Sequence, residues 1–229
     1  MEFFSSEFLT ALLSIIVINI VLSGDNAVVI ALASRKLPVD QQKKAVFWGS
    51  FAAIGLRIIL TTVAVVLLKL PYVQVIGGIL LIPIAVKLLV GEEEEEACKE
   101  ADCLRDAIQT IVVADLLMSL DNVLAVAGVA KGNIPLLIIG LAISIPIIIF
   151  GSQIVMMLMK RFKIIVYLGA GLLGYTSGEM ITGDRHVSAL LHGSVSFLHW
   201  LIPVALTAFV IVMGIWLNKR QAASQEGHC

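Results

Sequence analysis

Two stretches of this chain carry the same run of oxygen-bearing side chains inside apolar surroundings. Asn19-Ile-Val-Leu-Ser23-Gly24-Asp25-Asn26 is matched 96 residues later by Asp115-Leu-Leu-Met-Ser119-Leu-Asp121-Asn122. On a helix, positions i, i+4 and i+7 share a face. Asn19, Ser23 and Asn26 therefore form one polar stripe, and Asp115, Ser119 and Asn122 another. Asp25 and Asp121 precede the last stripe residue by one position, a rotation of about 100° on a regular helix, and Gly24 is a place where the first helix can open and free backbone carbonyls. Carboxylates, amides, hydroxyls and carbonyls together suit hard divalent cations such as Mn²⁺, Mg²⁺ or Ca²⁺, among which residue type does not choose. The apolar runs contain no His or Cys cluster of the kind zinc or copper prefers. Asp25, Asp115 and Asp121 against the single buried-run cation Arg57 leave about two negative charges, which a divalent ion neutralises. In the empty pocket, burial and like charge favour protons on such acids, so exchange with protons is the natural coupling. Each residue also has a blander use: Arg57 as the neutraliser of one aspartate, Ser23 and Ser119 as small residues for close helix packing, and Asn19 as an interhelical hydrogen-bonding group.

These side chains must be held by membrane helices. The chain has 229 residues, 59% hydrophobic and only 14% charged, with mean hydropathy +1.00, whereas a soluble domain is about a quarter charged. The apolar mass falls into seven stretches of the length that spans a ~30 Å hydrocarbon core, at about 8–33, 45–68, 71–90, 107–130, 134–158, 162–182 and 198–217. The first has Glu2 and Glu7 at its N-terminal flank and is too long for a cleaved signal. With the N-terminus outside, eleven loop Lys and Arg fall on the cytoplasmic side and only Lys69, Lys131 and Arg185 on the other, which predicts N-out, C-in. Asp and Glu (17) nearly balance Lys and Arg (16), and the absence of a basic, aromatic-interleaved tract excludes nucleic acid as a partner. The three cysteines, Cys98, Cys103 and Cys229, form no CxxC pair and predict neither a zinc cluster nor a disulfide framework. The histidines of the outer loop, His186, His192 and His199, read as solvated.

The matching segments belong to a longer repeat. Gly49 and Lys69 of the second stretch pair with Gly140 and Lys160 of the fifth, and Gly78-Ile-Leu-Leu of the third with Gly171-Leu-Leu of the sixth. An odd number of helices per unit makes the second copy enter the membrane from the opposite side, the inverted repeat of many secondary transporters, whose sites lie near the midplane. The organisation is then 1–90 as the first three-helix repeat, 91–106 as a cytoplasmic linker, 107–182 as the second repeat, 183–197 as an outer loop, 198–218 as a seventh helix and 219–229 as a polar tail. The linker opens on Gly91, and its run Glu92–Glu96 reads as a solvated connection.

With Ser23-Gly24-Asp25-Asn26, Ser119-Leu120-Asp121-Asn122 and the flanking Ala27-Val-Val-Ile-Ala and Val123-Leu-Ala-Val-Ala, the chain resembles the TerC family of integral membrane proteins, in its YjbE-type branch, over nearly its whole length. The resemblance implies a relation to the LysE-type exporters and a role in Mn²⁺ efflux or in supplying Mn²⁺ to proteins made outside the cytoplasm. It also implies that Asp25, Asn26, Asp121 and Asn122 are functional, with Asp115 at the family's acidic position before the second motif. Asn19 opposite Asp115 makes the half-sites unequal.

The leading expectation is thus a transporter of the bacterial inner membrane that exports a divalent cation, Mn²⁺ first, as substrate and with no tightly bound cofactor. Two other classes remain open. One is a membrane factor that hands Mn²⁺ to secreted proteins beside the secretion machinery; the other is an intramembrane aspartyl hydrolase, since two acids sharing a buried site can do acid-base work. The bilayer is a partner in every reading, a second copy of the chain in some.

Overall fold

In hydrocarbon a backbone group must find its hydrogen bond within its own segment or a closed barrel. The computed structural model, which describes residues 6–22, 24–67, 71–90, 100–130, 133–191 and 197–226, is accordingly helical, with no strand among those residues. The elements are α1 (Ser6–Leu22), α2 (Gly24–Ser34), α3 (Val39–Leu67), α4 (Val73–Val90), α5 (Glu100–Ala130), α6 (Ile134–Arg161), α7 (Lys163–Gly183), α8 (Arg185–Leu191) and α9 (Leu198–Glu226). Among the described residues, α3, α4, α6, α7 and α9 are long and apolar enough to cross a membrane. A bent pair, α1 with α2, makes a sixth when the two are taken as one span. The chain is therefore an integral, multi-pass membrane protein. The stretch expected at 107–130 lies in α5; several of its side chains, that of Asp121 included, are outside the described residues, and it is not in this set.

Helix boundaries depart from the apolar stretches wherever polar residues extend a helix beyond the hydrocarbon. The helix at α3 begins at Val39, α5 already at Glu100 inside the expected linker, and α9 runs on to Glu226 through the expected tail. The expected outer loop holds the short helix α8, whose first turn is held by Asp184: its Oδ1 accepts from His186 N–H at 2.9 Å. Asn133 caps α6, its side chain accepting from Leu136 N–H at 3.1 Å, with Pro135 in the first turn. Arg35, half buried, donates to the carbonyls of Leu88 (3.1 Å) and Leu89 (3.2 Å) and so closes the C-terminal end of α4. Burial lowers its pKa from the ordinary arginine value, yet an arginine keeps its charge. Cys103 stands in a disulfide, against the expectation from cysteine spacing. Its partner is outside the described residues, as are Ser23, Gly91, Glu92–Glu96, Lys69, Lys131 and His192.

The packing interleaves the two halves of the chain. The α1/α2 pair lies along α6, α5 lies along α3, and α4 lies against α7. Glycines make the closest of these approaches. A Cβ on Gly49 of α3 would stand 2.8 Å from Cδ1 of Ile111 on α5, and one on Gly140 of α6 would stand 2.5 Å from Cγ2 of Ile15 on α1. Ile15 and Ile111 are 96 residues apart, the offset of the two polar segments, and Gly49 and Gly140 are the aligned glycines of the second and fifth stretches. On α7, Gly171, Gly174 and Gly178 receive α9, where Thr207 Oγ1 lies 3.3 Å from the Gly171 carbonyl. The tightest of these three is Gly178, where a Cβ would run into the backbone of Pro203. Backbone cannot step aside as a side-chain tip does, so Gly178→Ala should destabilise the protein by about 1–3 kcal/mol. A lowered midpoint of thermal unfolding in detergent checks this; an unchanged midpoint contradicts the α7–α9 contact.

Candidate metal site

The centre of the bundle is organised by one cation. Arg57, on α3 and 1% exposed, donates through Nη2 to Asp115 Oδ1 at 2.9 Å, through Nη1 to Asn19 Oδ1 at 2.8 Å and through Nε to Ser119 Oγ at 2.9 Å. Ser119 Oγ in turn donates to Asp115 Oδ2 at 3.1 Å. Both carboxylate oxygens of Asp115 are thus engaged, and α1, α3 and α5 are tied at one point. Pairing is what makes a buried guanidinium tolerable: an isolated charge there costs several kcal/mol, and the bidentate-capable fork matches a carboxylate and an amide oxygen at once. The residues that stripe reasoning aligned as ligands, Asn19, Asp115 and Ser119, are therefore the residues that hold Arg57.

The first motif sits where the helix axis turns by 46° between α1 and α2. Gly24 opens α2, is exposed, and has nothing among the described residues within 4 Å of where a Cβ would be. Close packing does not require glycine there. Asp25 occupies the first turn of α2, half buried, its Oδ1 accepting from Asn26 N–H at 2.8 Å. A carboxylate is favoured at this end of a helix because unpaired N–H groups and the helix dipole face it. Arg57 and Asp115 both lie within electrostatic reach of Asp25. Asn26, 2% exposed, has neither amide oxygen nor amide nitrogen hydrogen-bonded among the described residues. An orphaned buried amide costs about 1–3 kcal/mol; Ser34 Oγ and Ser50 Oγ are likewise buried without a partner among the described residues. In the second motif Asn122 is buried; the side chain of Asp121 and all of Ser23 lie outside the described residues. Among the described residues no three of His, Cys, Asp and Glu come together.

The sequence reading allowed Arg57 to neutralise one aspartate, as it does at Asp115, but missed that it also binds Asn19 and Ser119 and so closes on both halves. A signal for it exists: Arg57 is the one cation in the middle of an apolar stretch, and Asn19 and Asp115, equivalent by the repeat, are both acceptors.

Comparison with known proteins identifies the group to which this arrangement belongs. The family model described as "Integral membrane protein TerC family" matches residues 4–222. The chain belongs to the TerC family. Among relatives of this TerC protein, the uncharacterized membrane protein YjbE of Bacillus subtilis (strain 168) is 44% identical over 215 residues, covering 93% of this chain and 97% of that one. The uncharacterized membrane protein YceF of the same organism is 26% identical over 224 residues, covering 93% and 84%. No solved structure matches.

Proposed function

We propose that this TerC-family protein exports a divalent cation, Mn²⁺ before Mg²⁺ or Ca²⁺, across the bacterial inner membrane, with Asp25, Asn26, Asp121 and Asn122 as the site and protons as the exchanged ion. The observation that carries the reading is Asn26: a buried amide with neither polar atom partnered among the described residues, adjacent to a carboxylate, at the bend between α1 and α2. On this reading, unwinding at the bend would free backbone carbonyls at the end of α1 as further oxygen ligands. The Arg57–Asp115 pair is neutral and spends both Asp115 oxygens, which leaves Asp25 and Asp121 as the two charges a divalent ion balances. Asp115, on this account, shapes the site through Arg57.

The proposal counts α1 with α2 as one span and α5 as another, for seven spans with the N-terminus outside. The interleaved packing supports two inverted three-helix repeats: exchanging the halves turns the α1/α2–α6 contact into α5–α3, leaves α4–α7 unchanged, and turns Gly140–Ile15 into Gly49–Ile111. The test is Mn²⁺ movement across liposomes holding the purified protein, followed by a trapped indicator. Flux above that of protein-free vesicles is expected; its absence overturns the proposal.

Asn26 gives an independent check. Asn26→Leu removes the orphaned amide at nearly constant shape, so the variant should be more stable than the wild type by about 1–3 kcal/mol, while Mn²⁺ should bind it at least tenfold more weakly. Thermal unfolding with and without Mn²⁺ measures both. A variant that is destabilised, or that Mn²⁺ still protects fully, contradicts the assignment.

A further inference from the structure

The first two turns of α3 and the last two of α6 enclose a cavity of about 280 Å³ that the transport site does not use. Its lining is of two kinds. Val46, Met156 and Met157 are apolar, and Lys43 and Lys160 place two ammonium groups at the rim. Lys160 is held in place: its Nζ donates to Gln42 Oε1 at 3.0 Å, while Gln42 Nε2 is committed to the carbonyls of Leu37 (2.7 Å) and Arg35 (3.1 Å). Neither lysine is paired with a carboxylate among the described residues, although Asp40 stands in the first turn of α3. Lys36, Lys44, Arg161 and Lys163 flank the same end of the bundle. Away from the rim the surface changes character, with Phe150, Ile154 and Met157 exposed along α6 and Phe47, Trp48 and Phe51 along α3. Trp at such a boundary marks the membrane interface.

We infer that this cavity binds the headgroup of an anionic phospholipid, its phosphate between Lys43 and Lys160 and its upper acyl chain against Val46 and the methionines. Basic pockets between membrane helices on the cytoplasmic side take anionic headgroups for this reason: ammonium groups at the depth of the phosphates, apolar walls at the depth of the chains. The inner leaflet as the source rests on the N-out orientation proposed above; the chemistry of the pocket does not. The occupant would clasp α3 of the first repeat to α6 of the second.

The test uses the full-length protein in detergent, with bound lipid counted by native mass spectrometry. Dioleoylphosphatidylglycerol should be retained in preference to dioleoylphosphatidylcholine. Lys43→Gln with Lys160→Gln should weaken its binding about 30-fold, from about fivefold for each lysine, and Lys43→Arg with Lys160→Arg should restore it. Met157→Trp, which keeps both charges and fills the cavity, should displace the lipid; Lys219→Gln with Arg220→Gln, at the far end of α9, should leave binding intact. Wild-type binding in the double glutamine variant overturns the inference, as does equal retention of phosphatidylcholine. Competition by inorganic phosphate at the lipid's own concentration also overturns it, by making the site one for a free anion.

Discussion

Asp25→Asn and Asp121→Asn should each abolish Mn²⁺ flux in proteoliposomes while leaving the protein folded. A divalent ion between two carboxylates in a water-poor bundle loses half of its counter-charge in either variant. Removing one partner of a buried charge pair costs about 3–5 kcal/mol, which corresponds to a loss of affinity between roughly a hundredfold and several thousandfold. The fold has no corresponding stake: Asp25 is half buried, and its hydrogen bond from Asn26 N–H is one an Asn oxygen can also accept. Asp115→Asn is the informative contrast, because Asp115 holds Arg57 and is no ligand in this account; it should lower stability and spare Mn²⁺ selectivity. Flux that survives both Asp25→Asn and Asp121→Asn rejects the site.

Arg57→Leu should be the most destabilising single change near the centre. It leaves the Asp115 carboxylate buried, stripped of its cation, and takes a hydrogen bond each from Asn19 and Ser119. The expected cost is about 3–5 kcal/mol, read as a large fall in thermal midpoint or as loss of monodisperse protein. Arg57→Leu combined with Asp115→Leu removes both charges and should recover most of the stability, since a buried pair replaced by apolar groups is often neutral. Recovery in the double variant separates a charge-pairing role from simple packing. A single variant as stable as the wild type would contradict the geometry.

How far these features were legible beforehand differs by residue. Membrane helices follow from apolar runs because burial in lipid is a bulk property of about 20 residues. Their ends do not, and α3, α5 and α9 outrun the apolar windows because a helix can continue in polar residues once it leaves the hydrocarbon. The break at Gly24 coincides with a residue whose lack of a side chain lowers helix propensity, yet nothing local distinguishes it from Gly55, which sits inside α3 with equal freedom around its Cβ position. Periodicity put Asn19, Ser119 and Asp115 on polar stripes, but periodicity is a property of one helix. That these stripes close on Arg57 depends on Arg57 of α3 reaching the place where α1 meets α5, a three-body arrangement outside any single window. The short helix α8 was hidden for the opposite reason: its seven residues are too few for a pattern.

The most direct measurement is anomalous scattering from crystals of the protein soaked in Mn²⁺. The account predicts one strong peak between the start of α2 and the second motif of α5, within coordination distance of the Asp25 and Asp121 carboxylates and the Asn26 amide oxygen, with Asp115 still on Arg57. A peak held by Asp115 in place of Arg57, a peak only at the protein surface, or none at saturating Mn²⁺ would contradict it.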